Sequence, residues 1–110
     1  MKTNIEDYEQ IQKVLEEYAK EKGMGQRILE KIYHPNATIN GKPIEEIATE
    51  SLCCKQEPKA RMDILDVYGD IACARVYITD CEGDSYVNYI QLIKRKGKWK
   101  IVSKTSTELL

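Results

Sequence analysis

Few side chains in this sequence stand where they could do chemistry. Asp63 lies in a stretch of alternating apolar and polar residues. A two-residue turn at Gly69-Asp70 would set Val67 opposite Ala72, Leu65 opposite Ala74 and Asp63 opposite Val76. Asp63 would then face inward among apolar neighbours, a setting that suits a general acid or base. The competing reading is a hydrated residue near a strand end. His34 is the only histidine. Its ring changes charge near neutrality, which suits proton transfer, but beside Pro35 it also fits a partner for a helix C-terminus. Cys53, Cys54, Cys73 and Cys81 contain no Cys-x-x-Cys pair. Neither zinc nor a structural disulfide is expected, and four free thiols are. Asp80-Cys81-Glu82-Gly83-Asp84 is too short for a calcium loop and reads as a solvated turn. Lys94-Arg95-Lys96-Gly97-Lys98-Trp99-Lys100 is strongly basic and reads as a solvated hairpin rather than a nucleic-acid site.

The elements that must position these residues follow from periodicity. Ile5, Tyr8, Ile11, Leu15 and Tyr18 recur at helical spacing, with Val14 widening the stripe. Thr3-Asn4-Ile5-Glu6 fits a capping box, acidic residues fill the first turn, and Gly23 suits the stop. A second helix after Gly25 would present Ile28, Leu29, Ile32 and Tyr33, and end at Pro35. Residues 36–40 read as a short strand closed by Gly41. A third helix from Pro43 would bury Ile44, Ile47, Ala48 and Leu52. Beyond Arg61 the period becomes alternating. Four strands are predicted: Arg61–Tyr68, Ile71–Thr79, Ser85–Lys94 and Lys98–Thr107. Hairpin turns join them, so neighbours are antiparallel. The fold class is α+β, as a single domain over residues 1–110.

An even-length turn at Lys96-Gly97 pairs Lys94 with Trp99, Leu92 with Ile101, Ile90 with Ser103 and Asn88 with Thr105. That face reads as concave and buried. Its reverse carries Tyr89, Gln91, Ile93 and Val102, and Tyr77 joins it from the preceding hairpin. It is too apolar to stand in water and reads as a subunit interface.

The order helix, helix, short strand, helix, four antiparallel strands resembles the nuclear transport factor 2-like superfamily. The resemblance covers nearly the whole chain. It is carried by the Tyr18-containing first helix, by Ile32-Tyr33-His34-Pro35-Asn36-Ala37-Thr38-Ile39 and by Gly41-Lys42-Pro43-Ile44. Val67-Tyr68-Gly69-Asp70-Ile71-Ala72-Cys73-Ala74-Arg75-Val76 and Asn88-Tyr89-Ile90-Gln91-Leu92-Ile93-Lys94 carry it further. The ending Gly97-Lys98-Trp99-Lys100-Ile101-Val102 is most similar to the lumazine-binding branch, beside the polyketide cyclase-like (SnoaL-like) relatives.

The resemblance implies a cone-shaped, cystatin-like roll, with helices in the concave face of a curved sheet and a pocket at the open end. It also implies a homodimer through the outer sheet face. Family enzymes include ketosteroid isomerase, scytalone dehydratase and polyketide cyclases. The isomerase type places a carboxylate base just after the short first strand, where Thr38-Ile39-Asn40-Gly41-Lys42 holds none. Tyr18 is similar to the first-helix tyrosine that donates to a developing oxyanion there. It also simply completes the helical stripe.

Three functions fit. The first is a pocket protein that holds a small, largely apolar ring ligand with Tyr18, Tyr33, Asn88, Trp99, Ser103 and Thr105. The second is a lyase or isomerase that uses Asp63 or His34 with Tyr18. The third is a dimeric interaction module without a ligand. No cofactor is expected. The net charge of −1 gives no global attraction to nucleic acid or membranes. No apolar run is long enough to span a bilayer, no export signal is recognisable, and a cytoplasmic location is expected.

Overall fold

The computed structural model describes residues 5–20, 31–44, 59–79 and 83–109. One helix, α1 (Ile5–Lys20), precedes β1 (Tyr33–Ile39), β2 (Lys42–Pro43), β3 (Lys59–Tyr68), β4 (Ile71–Thr79), β5 (Ser85–Arg95) and β6 (Lys98–Leu109). The strands form one sheet in the order β2-β1-β6-β5-β4-β3. It is antiparallel except where β1 runs parallel to β6. Among the described residues no helix is long and apolar enough to cross a membrane.

The helix forms where the period places it, but it buries a narrower stripe than expected. Ile11 and Leu15 are fully buried, Tyr18 and Ala19 nearly so, whereas Ile5 and Tyr8 are exposed. The stripe extends instead through Asp7, which is only 4% exposed. Asp7, Ile11, Leu15 and Tyr18 are spaced by four, four and three residues, which keeps them on one helical face. That face meets the inner side of the sheet, where Val76, Ile90, Leu92 and Ile101 complete the core. Asp7 can be buried because two donors meet it. Trp99 Nε1 donates to Asp7 Oδ1 at 3.1 Å, and Lys94 Nζ donates to the same oxygen at 3.0 Å.

The second helix ends earlier than expected. Lys31 and Ile32 are helical, but Tyr33 begins β1, and Pro35 lies within that strand; Ile28 and Leu29 lie outside the described residues. A proline lacks the N–H that a ladder needs. The strand accommodates it because the β1–β6 register is irregular between Tyr33 and Thr38. Pro43, expected to open the third helix, belongs to β2. Ile44 follows it, half-buried against the core, and the expected helix beyond it, the start of the capping box at Thr3-Asn4, and Gly23 lie outside the described residues. Asn40 and Gly41 both have positive φ, as do Lys96 and Gly97. These pairs give the twist that two-residue hairpins require.

Strand boundaries agree with the alternating period, but pairing does not, because two strands carry an extra residue. Below the Gly69-Asp70 turn, Val67 faces Ala72 as expected. The register then shifts at Leu65, so that Ile64 pairs with Ala74, Asp63 with Arg75 and Met62 with Val76. A second shift at Val102 pairs Gln91 with Ser103, Ile90 with Lys104, Tyr89 with Thr105 and Asn88 with Ser106. Each bulge moves every residue beyond it to the other face. Asp63, Ser103 and Thr105 therefore lie on the outer face, not the inner one. Met62 and Ile64 turn inward, and Met62 Sδ lies 3.8 Å from Gln12 Nε2 on α1.

Replacing Asp7 with Ala removes the acceptor of a buried indole N–H. A loss of about 1–3 kcal/mol of unfolding free energy is expected. Urea denaturation followed by Trp99 fluorescence measures it, and Glu9→Ala on the exposed side of α1 should change little.

Candidate functional site

On the concave side, α1 ends over the middle of the sheet and delivers Tyr18 to Asn88. Tyr18 Oη donates to Asn88 Oδ1 at 3.1 Å, while Asn88 Nδ2 donates to the Val76 carbonyl at 3.1 Å. The second bond fixes how the amide is turned. A carbonyl only accepts, so Nδ2 must face Val76 and Oδ1 must face the tyrosine. Tyr18 is thereby the donor, and its proton is directed at Asn88 rather than at a ligand. Both residues are buried, Asn88 to 2% exposure.

Two further side chains frame the Tyr18 ring. Tyr33, buried at the start of β1, meets Tyr18 edge to face, with centroids 6.5 Å apart and planes at 77°. Lys104 Nζ lies 4.9 Å from the Tyr18 ring centroid, within range of a cation–π attraction. Lys104 reaches this place only because the Val102 bulge turns it inward. An alternation count without the bulge sends it outward and puts Ser103 in its place. The cluster is thus two aromatic rings, an amide and an ammonium, drawn from α1, β1, β5 and β6.

The other predicted residues are dispersed. Trp99 is buried at the opposite end of α1, with its N–H on Asp7. Ser103 and Thr105 face outward beside Gln91 and Tyr89. His34 is half-buried in β1, and its Nδ1 accepts the Asn36 backbone N–H at 3.0 Å. That bond supplies a partner where Pro35 interrupts the ladder, and it places any proton of the neutral ring on Nε2. Asp63 accepts from Arg75 Nη2 at 3.4 Å and lies 3.4 Å from Arg61 Nε. Hydrogen bonding to Asp63 holds the Arg75 guanidinium above its ordinary pKa. The carboxylate is therefore an ion-pair partner on the outer face, remote from Tyr18.

The outer face is apolar at its centre. Tyr89 is 56% exposed, Ile71 56%, Tyr68 70% and Leu65 50%, and Tyr77 stands beside Arg75. Ile93 and Val102 are half-buried and Gln91 is exposed. An open depression of about 300 Å³ reaches from Tyr68 and Ile71 to Ile93 and Val102. A second, of about 230 Å³, adjoins it between Leu65 and Thr105. Cys73, a free thiol, lines both; the other three cysteines lie outside the described residues.

With this geometry in place, comparison with known proteins is informative. The family described as "Putative lumazine-binding" matches residues 6–106, nearly the whole chain. The chain belongs to this family. The fold of this lumazine-binding-family domain is also that of solved structures described as NTF2-like proteins of unknown function. One from Shewanella baltica has a TM-score of 0.77 at 25% identity, covering 100% of this chain and 99% of its own. One from Methylobacillus flagellatus has a TM-score of 0.78 at 23% identity, over 99% and 97%. One from Silicibacter pomeroyi has a TM-score of 0.75 at 22% identity, over 98% and 100%. No curated protein matches the chain. The domain is therefore NTF2-like in fold, as its element order and final hairpin suggest.

Tyr18→Phe leaves the buried Asn88 oxygen without its hydroxyl donor. The expected cost is about 1–3 kcal/mol in thermal or urea unfolding. Tyr33→Phe, which keeps the ring pair, is the comparison variant and should cost less.

Proposed function

We propose that this domain is a binding protein that holds a small, largely apolar ring compound in the cone. The observation that carries this reading is the direction of the Tyr18 hydroxyl. Its proton serves Asn88, and the carboxylate proposed as its partner in catalysis sits on the other side of the sheet. A donor turned away and a base out of reach do not make an acid–base pair. Two tyrosine rings set nearly at right angles, with an amide and an ammonium beside them, suit recognition of a flat ring bearing polar substituents. The family description, which names lumazine, a bicyclic ring compound, is consistent with a ligand of that type.

The domain acts, on this reading, as a homodimer joined through the outer face, with Tyr77, Tyr89, Gln91, Ile93 and Val102 in the contact. The support is the apolar centre of that face and its rim of Asp63, Arg75 and Asp66, an arrangement common to protein interfaces. A two-fold axis there would bring each depression against the other copy's side chains. Burial of about 1,200–2,000 Å² in total would be typical.

Two measurements test these claims separately. Native mass spectrometry of the purified protein should find a mass excess that disappears on denaturation; a bare polypeptide mass from protein freshly isolated from its natural source would count against the binding reading. Val102→Glu should shift the protein from dimer to monomer in light scattering across a dilution series. A wild-type protein that is monomeric at every concentration would remove the interface.

A further inference from the structure

The basic hairpin takes no part in the cone, yet it forms one wall of the largest depression among those described. This groove, of about 600 Å³, runs between α1 and the start of β6. Gln10, Lys13, Val14 and Glu17 line it from the helix, Lys31 from its end, and Lys98 and Lys100 from the strand. The helical residues follow the spacing i, i+3, i+4, i+7, so the groove follows one face of α1 for about 10 Å. Val14 and the buried Trp99 give it an apolar floor.

Charge separates this groove from the rest of the molecule. The whole chain carries 17 basic and 18 acidic residues, close to neutral. Among the described residues, Lys13, Lys31, Lys98 and Lys100 line the groove, with one carboxylate, Glu17. Glu17 is itself tied to Lys31 at 2.9 Å. Two cations of the basic run point away from the groove: Lys94 is paired with Asp7 at 3.0 Å and Arg95 with Asp70 at 3.0 Å. Lysines from the helix, from the segment before β1 and from the hairpin thus converge on one open cleft.

We infer that this groove is a docking site for an acidic peptide segment of a partner protein. An open cleft suits an extended chain better than an enclosed small molecule. Its length admits about three residues at roughly 3.3 Å each. Lysine rims meet carboxylates on either side, and Val14 meets one apolar side chain between them. Nucleic acid is the weaker fit, because among the described residues the one aromatic lining the groove, Trp99, is buried and offers no face for base stacking. Association through such a rim should weaken with salt, as exposed charges are screened over about 8 Å at physiological ionic strength.

Fluorescence anisotropy with a labelled peptide, Gly-Glu-Glu-Leu-Asp-Glu-Gly, tests this on the intact protein. The control is Gly-Gln-Gln-Leu-Asn-Gln-Gly with the same label. The acidic peptide should bind at least about tenfold more tightly than the control and lose affinity as salt rises. Lys13→Glu with Lys98→Glu should weaken it at least about tenfold, because both side chains are exposed and their reversal leaves the core intact. Lys42→Glu with Lys59→Glu, which reverses charges on β2 and β3, should leave binding unchanged. Equal affinity for the neutral peptide would overturn the proposal, as would indifference to the Lys13 and Lys98 changes. So would displacement of the acidic peptide by a short oligothymidylate at equal charge and lower concentration, which would identify a nucleic-acid groove instead. None of these outcomes bears on the cone.

Discussion

The architecture depends on holding one amphipathic helix in the concave face of a sheet at a fixed rotation and depth. Apolar contact alone does not do this, because the attraction between Ile11 or Leu15 and the sheet is non-directional. Two polar anchors about 16 Å apart along the helix supply direction. At the N-terminal end Asp7 receives Trp99 and Lys94; at the other, Tyr18 reaches Asn88. Burying Asp7 costs solvation, and the bonds from Trp99 and Lys94 help to offset that cost. The pair of anchors therefore selects one seating of the helix. That seating places the Tyr18 ring against Tyr33 and under Lys104.

How far the site could be read in advance depended on where each residue lies relative to a bulge. Tyr18 was legible because a helical stripe tolerates no ambiguity of face over four turns. Asn88 was legible because it belongs to β5, the unbulged member of its pair. Ser103, Thr105 and Asp63 are misplaced by a count of alternation, and Lys104 goes unnoticed by it, for one reason. Each lies beyond an extra residue, and parity alone assigns it to the wrong side. Leu65 and Val102 are ordinary strand formers, with none of the glycine that sometimes marks a bulge. Asp7 did carry a signal. An acidic residue in register with Ile11, Leu15 and Tyr18 is either at a wet helix start or bonded to something buried. Its partners lie too far along the chain for local reading to find. Ile28, Leu29 and Ile32 precede Tyr33 at helical spacing, which favours helix there; the irregular parallel pairing that admits Pro35 has no local signature.

The same bulges divide the chemistry of the domain between its two faces. Inward they deliver an ammonium to an aromatic pair; outward they deliver Asp63 to Arg75 and hydroxyls to the margin of an apolar patch. Such a fold can be respecified this way, because a single inserted residue exchanges what faces the helix and what faces outward without altering the strand order. Family membership states the frame, and the particular offset of two strands decides what stands inside it.

The anchors of α1 also govern when the domain can become native. Asp7 is separated from Lys94 by 87 residues and from Trp99 by 92, and Tyr18 from Asn88 by 70. Its neighbour β1 finds its parallel partner only in β6. During synthesis the helix emerges before the strands that seat it, with its apolar stripe exposed and the Asp7 carboxylate still hydrated. The β3–β4–β5 meander has short hairpin connections and can assemble in the meantime. Loop-closure entropy for the long-range contacts must be overcome before they contribute. The helix and β1 therefore precede the strands that fasten them, and the interval before β6 is made is when the domain is most exposed to chaperones and to aggregation.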